Sequence, residues 1–306
     1  MEIFEAILIT IVTASTPLLL AALGELVVER SGVLNLGVEG MMIMGAVCAF
    51  AVSLTTGNPY LGILAGMLGG MVMSLLFGIL TLSLVTNQVA TGLALTLLGL
   101  GLSGMIGEAF VGTPGVKLTP LPIPGLVELP FIGKALFGQD ILFYVSIALT
   151  IGTTWFLFKS RPGLIIRAVG ENHGSAHALG YSVIRVRYMA VLFGGFCAGL
   201  AGAYLSLVYT SLWIEDMSAG RGWIALALVV FSSWLPKRLI IGAYLFGVVS
   251  ILQFHAQGAG VPVPSQLLTA LPYLATIVAL VFISRNRAVA RANTPACLGL
   301  AFVPDR

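Results

Sequence analysis

Residues 188–210 read YMAVLFGGFCAGLAGAYLSLVYT, a run without one charged side chain. A helix needs about 20 mostly apolar residues to cross ~30 Å of hydrocarbon, and this stretch is long enough. Similar runs lie at 4–27, 33–55, 60–85, 88–108, 141–158, 221–236, 239–256 and 267–284. The composition excludes a soluble protein. Hydrophobic residues make up 58% and charged residues 9% of the 306 residues, whereas soluble domains carry about 25% charged residues. A mean hydropathy of +1.04 agrees. The expectation is an all-α polytopic membrane bundle of about nine transmembrane helices, one domain over 1–306.

The opening stretch also carries Gly195, Gly199 and Ala203 at four-residue spacing, as 60–85 carries Gly62, Gly66 and Gly70. In lipid, helices associate through close backbone approach at such faces. These residues point to tight packing and mark no ligand site.

Alternating the runs from an outside N-terminus sorts the basic residues. Arg30, Lys159, Arg161, Arg167, Arg185, Arg187, Lys237, Arg238, Arg285, Arg287, Arg291 and Arg306 fall inside; only Lys117, Lys134 and Arg221 fall outside. The excess belongs on the cytoplasmic side, so the chain reads N-out and C-in, with 285–306 a cytoplasmic tail. Glu2 and Glu5 stand where a signal peptide needs positive charge, so the first run reads as retained. Pro114, Pro120, Pro122, Pro124 and Pro130 make 109–140 an irregular external loop. Residues 159–187 form a basic cytoplasmic loop.

Residues 38–76 loosely echo 220–252, in opposite orientation. An inverted repeat with a site near the midplane is a common transporter plan.

No catalytic set stands out. Serines occur without a GxSxG elbow, and no phosphate-binding GxxxxGK[ST] exists. The chain reads as no enzyme and as no nucleic-acid binder. His173 and His177 are four apart with no third ligand nearby, and Cys48, Cys197 and Cys297 are too scattered for a disulfide framework or metal site.

Polar residues inside apolar runs say more, because each costs free energy there. Glu39 lies about 9 Å into its span at 1.5 Å per residue, in Ser31-Gly-Val-Leu-Asn-Leu-Gly-Val-Glu-Gly40. Gly32, Gly37 and Gly40 favour a broken helix there. With Glu25, Glu29 and Arg30, Glu39 reads either as part of a structural salt bridge or as a transport residue. Trp213, Glu215, Asp216, Arg221, Trp223 and Trp234 mix aromatics and charges around the seventh run, and Asn35, Asn87, Gln88, Gln253, His255 and Gln266 add neutral polar groups. Sugars and nucleosides need such groups beside flat apolar surfaces. The substrate-pathway candidates are Asn35, Glu39, Asn87, Gln88, Arg221, Trp223 and Gln253.

In the basic loop, Arg161-Pro-Gly-Leu-Ile-Ile-Arg-Ala-Val-Gly-Glu-Asn172 precedes Ser175-Ala-His-Ala-Leu-Gly180. Residues 172–179 read as a short helix begun by a Glu171 cap and ended by Gly180 in a left-handed conformation. Ala176 and Ala178 are small enough for close approach by a partner.

At these residues the chain resembles permease subunits of bacterial ABC importers, in the branched-chain amino acid, ribose and nucleoside permease superfamily. It is most similar to the nucleoside and simple-sugar permeases. Residues 23–40, Arg167-Ala-Val-Gly-Glu-Asn172 with Ala178-Leu-Gly180, and Thr210 through Leu228 carry the likeness, which spans about 15–285. The chain departs from it in Asn172-His-Gly-Ser-Ala176, where the family usually has Asn-Pro-Arg-Ala-Ala, and in Phe231-Ser-Ser-Trp-Leu-Pro236. The resemblance implies a bacterial inner-membrane permease for a nucleoside or related small polar solute, with a simple sugar as a further possibility. It implies a second permease chain, an ABC ATPase dimer and an external substrate-binding protein as partners. ATP and Mg would be used by the ATPase and no cofactor held by this chain. Gly170, Glu171, Asn172, Ala176, Ala178, Leu179 and Gly180 would couple to that ATPase. The competing readings are an ion-coupled secondary transporter and a branched-chain amino acid permease of the same superfamily.

Overall fold

The computed structural model describes residues 2–129, 133–258, 264–284 and 293–303. Their architecture is helical: α1 (Glu2–Arg30), α2 (Val38–Thr56), α3 (Pro59–Gly78), α4 (Gln88–Gly107), α5 (Gly133–Phe137), α6 (Ile141–Lys159), α7 (Arg161–Glu171), α8 (His173–Ala178), α9 (Val183–Tyr204), α10 (Arg221–Phe231), α11 (Pro236–Gly258) and α12 (Ser265–Ser284). Single π-helical turns extend α3 through Ser83 and α9 through Tyr209.

A helix that is apolar all round belongs inside a bundle, and α1 obeys this. Every residue from Ala14 to Val33 is buried, as is α2 from Val38 to Val47. The outer helices expose apolar stripes, such as Leu64, Leu68 and Val72 on α3 and Ile151 and Trp155 on α6. Apolar side chains covering the outside suit a hydrocarbon solvent.

The centre is packed on glycine. A Cβ on Gly45 of α2 would lie 2.6 Å from Gly199 Cα of α9, and one on Gly66 of α3 would lie 2.9 Å from Gly45 O. The glycine stripes in α3 and α9 therefore face one another and α2. Gly40 of α2 and Gly99 of α4 form a further close approach, with a Cβ on Gly99 at 2.6 Å from Gly40 Cα.

Among the described residues seven helices, not the nine expected, are long and apolar enough to cross a membrane: Glu5–Arg30, Val38–Thr56, Pro59–Ser83, Gln88–Phe110, Ile141–Lys159, Val183–Tyr209 and Pro236–Gly258. The ninth expected run forms α12. The seventh, 221–236, departs from expectation. It forms the 11-residue α10, only about 16 Å long at 1.5 Å per residue. Ser233 and Trp234, both at positive φ, end it before Pro236 opens α11.

The reason is that α10 begins in mid-bundle. After α9 the chain turns inward beside α4. Gly107 has no room for a Cβ beside the Trp213 indole, and a Cβ on Gly104 would lie 3.0 Å from Glu215 Oε1. Gly220 is then held by Glu39, next to the Gly40–Gly99 approach. From Gly107 to Gly99 is about 12 Å along α4. Ser211, Asp216, Ala219 and Gly220 all adopt positive φ in this descent. Residues 31–37 make the complementary move from the other end. Gly32, at φ +86°, turns the chain back, and the Asn35 backbone N–H donates to Glu25 Oε1 at 3.2 Å, inside the end of α1.

The 109–140 loop is tethered. Gly115 N donates to Ser211 O (3.1 Å), and Leu121 N and Ile123 N donate to Gln139 O and Phe137 O (2.9 and 2.8 Å). Lys134 pairs with Glu5 at 3.3 Å. Pro130, Arg285, Arg287, Arg291 and Arg306 lie outside the described residues.

Replacing Gly45 by Leu forces a side chain into the Gly199 backbone and should cost about 3 kcal/mol or more. Thermal unfolding in detergent should show a marked loss, whereas Gly101→Leu, where a Cβ meets nothing within 4 Å, should unfold like the parent.

Candidate functional site

Two helix N-termini meet at the level of Glu39. Glu39 stands in the first turn of α2, and its carboxylate reaches the start of α10, accepting from Gly220 N at 2.8 Å and Gly222 N at 2.5 Å. A Cβ on Gly222 would lie 2.5 Å from Glu39 N, so glycine is what allows the two ends to touch. An acid at a helix N-terminus satisfies orphan donors and complements the macrodipole. Among the described residues the only ion pair is Lys134–Glu5. Glu39 is thus held by backbone rather than by a salt bridge with Arg30.

The neighbouring polar side chains satisfy the broken backbone. Gln88 Oε1 accepts from Leu34 N (2.8 Å), Asn35 Oδ1 from Gly37 N (2.9 Å), and Thr96 Oγ1 donates to Leu36 O (3.1 Å). At the lower end of α10, Arg30 donates to Trp234 O (2.9 and 3.2 Å), and Trp234 Nε1 donates to Glu29 Oε2 (2.5 Å). Both ends of α10 are therefore tied to charged residues of the α1–α2 segment.

Of the other pathway candidates, Arg221 and Trp223 flank Gly222 at the break, whereas Asn87 and Gln253 lie at the start of α4 and on α11. Arg221 is half-buried, donates to Met217 O and Ser218 O (3.1 and 3.3 Å) and lies 4.9 Å over the Tyr209 ring. Trp223 is exposed on α10, as is Val230, with the half-buried Leu226 and Ala227 between them. Asn87 is exposed and caps α4, accepting from Ala90 N at 3.0 Å. Gln253 is buried on α11. Sequence reading left Trp234 out of the pathway candidates, because its place beside Arg30 depends on a contact spanning about two hundred positions.

The second site is the end of the bundle that carries α8. Asn172, not Glu171, caps this helix: its extended backbone brings Oδ1 to Ser175 N at 2.9 Å, while Glu171 closes α7. Gly180 has φ +88°, and Tyr181 N donates to Ala176 O (3.1 Å) in a left-handed C-terminal turn. Ala176 faces inward against Val169 and Val183, which removes it from any docking face. Gly170 is also buried, against Arg30 O. Glu171, Asn172, Ala178, Leu179 and Gly180 are exposed, Leu179 at 78%. His173 Nδ1 accepts from Arg187 Nη2 at 3.2 Å. Burial, then the adjacent guanidinium, hold its pKa below the ordinary imidazole value, which keeps that lone pair free.

Residues 7–283 match the family described as "Branched-chain amino acid transport system / permease component". The chain is 43% identical, over 94% of both chains, to TsgC13 of Haloferax volcanii, an ABC transporter permease protein provisionally assigned to glucose. It is 32% identical to the guanosine ABC transporter permease protein NupQ of Bacillus subtilis, over 100% of this chain and 98% of that one. It is also 32% identical to the nucleoside ABC transporter permease protein NupC of Lactococcus lactis, over 87% and 88%.

Glu39→Ala should strand the Gly220 and Gly222 donors and cost about 1.5–3 kcal/mol, the range for hydrogen bonds to a charged group. Glu39→Gln keeps one acceptor and should lose less. Unfolding midpoints of the two variants in detergent check the order.

Proposed function

The chain belongs to the branched-chain amino acid transport system permease family, as an ABC transporter permease of the nucleoside and sugar type, and we propose that it carries a nucleoside inward across the cytoplasmic membrane. The observation that carries this reading is the pair of breaks at Glu39. Irregular backbone at membrane depth is tolerated where it is buried in protein or lines a cavity. Two helices that start at mid-depth from opposite ends also support an inverted repeat of α1–α4 and α9–α12, with the route near the midplane.

The α8 end is the cytoplasmic end in this reading. Arg30, Lys159, Arg161, Arg167, Arg185, Arg187, Lys237 and Arg238 sit there, Lys117 and Lys134 at the other end, and Arg221 at the depth of the break. That asymmetry supports N-out, C-in insertion. Two permease chains form the route, and their α8 helices dock on an ATPase dimer that binds ATP and Mg. An external binding protein delivers substrate at the far end. Within this division of labour the chain itself hydrolyses nothing.

Trp223 heads an exposed aromatic and aliphatic stripe at the very start of α10, next to the polar break. Such a surface suits a base ring, and donors beside it suit ribose hydroxyls. A simple sugar is the second reading, favoured by the likeness to TsgC13.

In proteoliposomes holding the complete transporter and its binding protein, purine or pyrimidine nucleosides should raise ATP hydrolysis. Stimulation by glucose alone would establish the sugar reading, and stimulation by leucine alone would refute both. Gly180→Val places a β-branched residue at positive φ; it should weaken ATPase association and abolish uptake while binding-protein docking persists. Uptake at the parent rate would remove α8 from coupling.

A further inference from the structure

The segment Asn293–Val303 returns across the α8 end and is held there through Cys297, Gly299, Leu300 and Phe302. Cys297 N donates to Gly170 O at 2.8 Å and Gly299 N to Gly32 O at 3.1 Å. Arg187, almost fully buried at the start of α9, donates to Ser31 O (3.2 Å), Leu300 O (2.9 Å) and His173 Nδ1 (3.2 Å). One guanidinium thereby joins the turn after α1, the C-terminal segment and α8. A buried cation is retained only when its donors are matched, and these three acceptors come from three separate parts of the chain.

The segment ends on α8 itself. The Phe302 ring packs against His173 and His177, with centroids 5.1 and 5.3 Å away. Beside the Phe302–His177 contact lies a hollow of about 240 Å³ lined by His177, Gly180, Tyr181, Ser182, Val183, Ile184 and Phe302. Leu179, Tyr181, Leu300 and Val303 are exposed around it, Val303 at 64%. Outside the membrane such an apolar cluster is a protein-docking surface.

We infer that the C-terminal segment is a second ATPase-docking element, clipped to α8 so that the two form one surface, and that the hollow between Phe302 and α8 receives an apolar side chain of the ATPase. This rests on the reading of α8 as the coupling helix. The occupant follows from continuity: Phe302 touches the helix that would be docked, so a partner seated on Leu179 also covers Val303. The turn bearing Gly32, bound by both Arg187 and Gly299, then connects this surface to the break that leads to Glu39.

The test places the photoreactive residue benzoylphenylalanine at Leu179 or at Val303 in the assembled transporter. Cross-linking of the ATPase from both positions supports the inference. Cross-linking from 179 alone overturns it and leaves the coupling reading standing; cross-linking from neither overturns the coupling reading as well. Cross-linking from 303 alone also overturns it, since no shared surface would exist. Phe302→Ala should weaken ATPase binding by about tenfold, the loss of one interface anchor, while Phe302→Leu restores most of it. Affinity unchanged in Phe302→Ala would equally overturn the inference.

Discussion

Hydrocarbon offers no partner for a backbone N–H, and the centre of this protein is arranged around that constraint. Breaking a helix at mid-depth exposes orphan donors at its start. Here α2 and α10 both begin inside the bundle, and the Glu39 carboxylate at the head of one caps the other through Gly220 and Gly222. Gln88, Asn35, Thr96 and the Glu25 carboxylate complete the turn before α2. The cost of bringing these polar side chains into the bundle is offset because each removes an otherwise unsatisfied backbone group.

That arrangement demands close packing on every side. Gly40 lies against Gly99, Gly45 against Gly199, and Gly222 against Glu39, so the backbones around the breaks touch directly. A structure held in this way is stiff where helices cross on glycine. The lower end of α10 is fastened to Glu29 and Arg30 through Trp234, one turn of chain away from Gly32 and the Arg187 cluster. The α8 surface and the break at Glu39 are thus joined through a short stretch, residues 29–39, rather than through the length of the bundle.

Much of this was legible in the chain. The runs of apolar residues, the glycine stripes of α3 and α9, the break around Gly32–Gly40 and the left-handed Gly180 follow from local pattern. The corrections share one cause. Residues 221–236 look like a span by composition, yet α10 is short because the preceding segment descends beside Gly107 and Gly104, a contact between distant parts of the chain. Ala176 looks suited to docking by size, but its place on α8 turns it toward Val169. Asn172 displaced Glu171 as the cap because its own backbone is extended there.

By itself the sequence determined the solvent: with 9% charged residues most of the surface cannot face water, and helices follow from backbone satisfaction in lipid. It also determined where those helices pause, because glycine and polar residues in an apolar run act locally. Only the tertiary structure decided what meets at those pauses. Glu39 meets Gly220, Arg187 meets Leu300 and Phe302 meets His173 across separations of 181, 113 and more than a hundred positions. Which acceptor satisfies which donor at those distances depends on how the helices pack, and no periodicity records it.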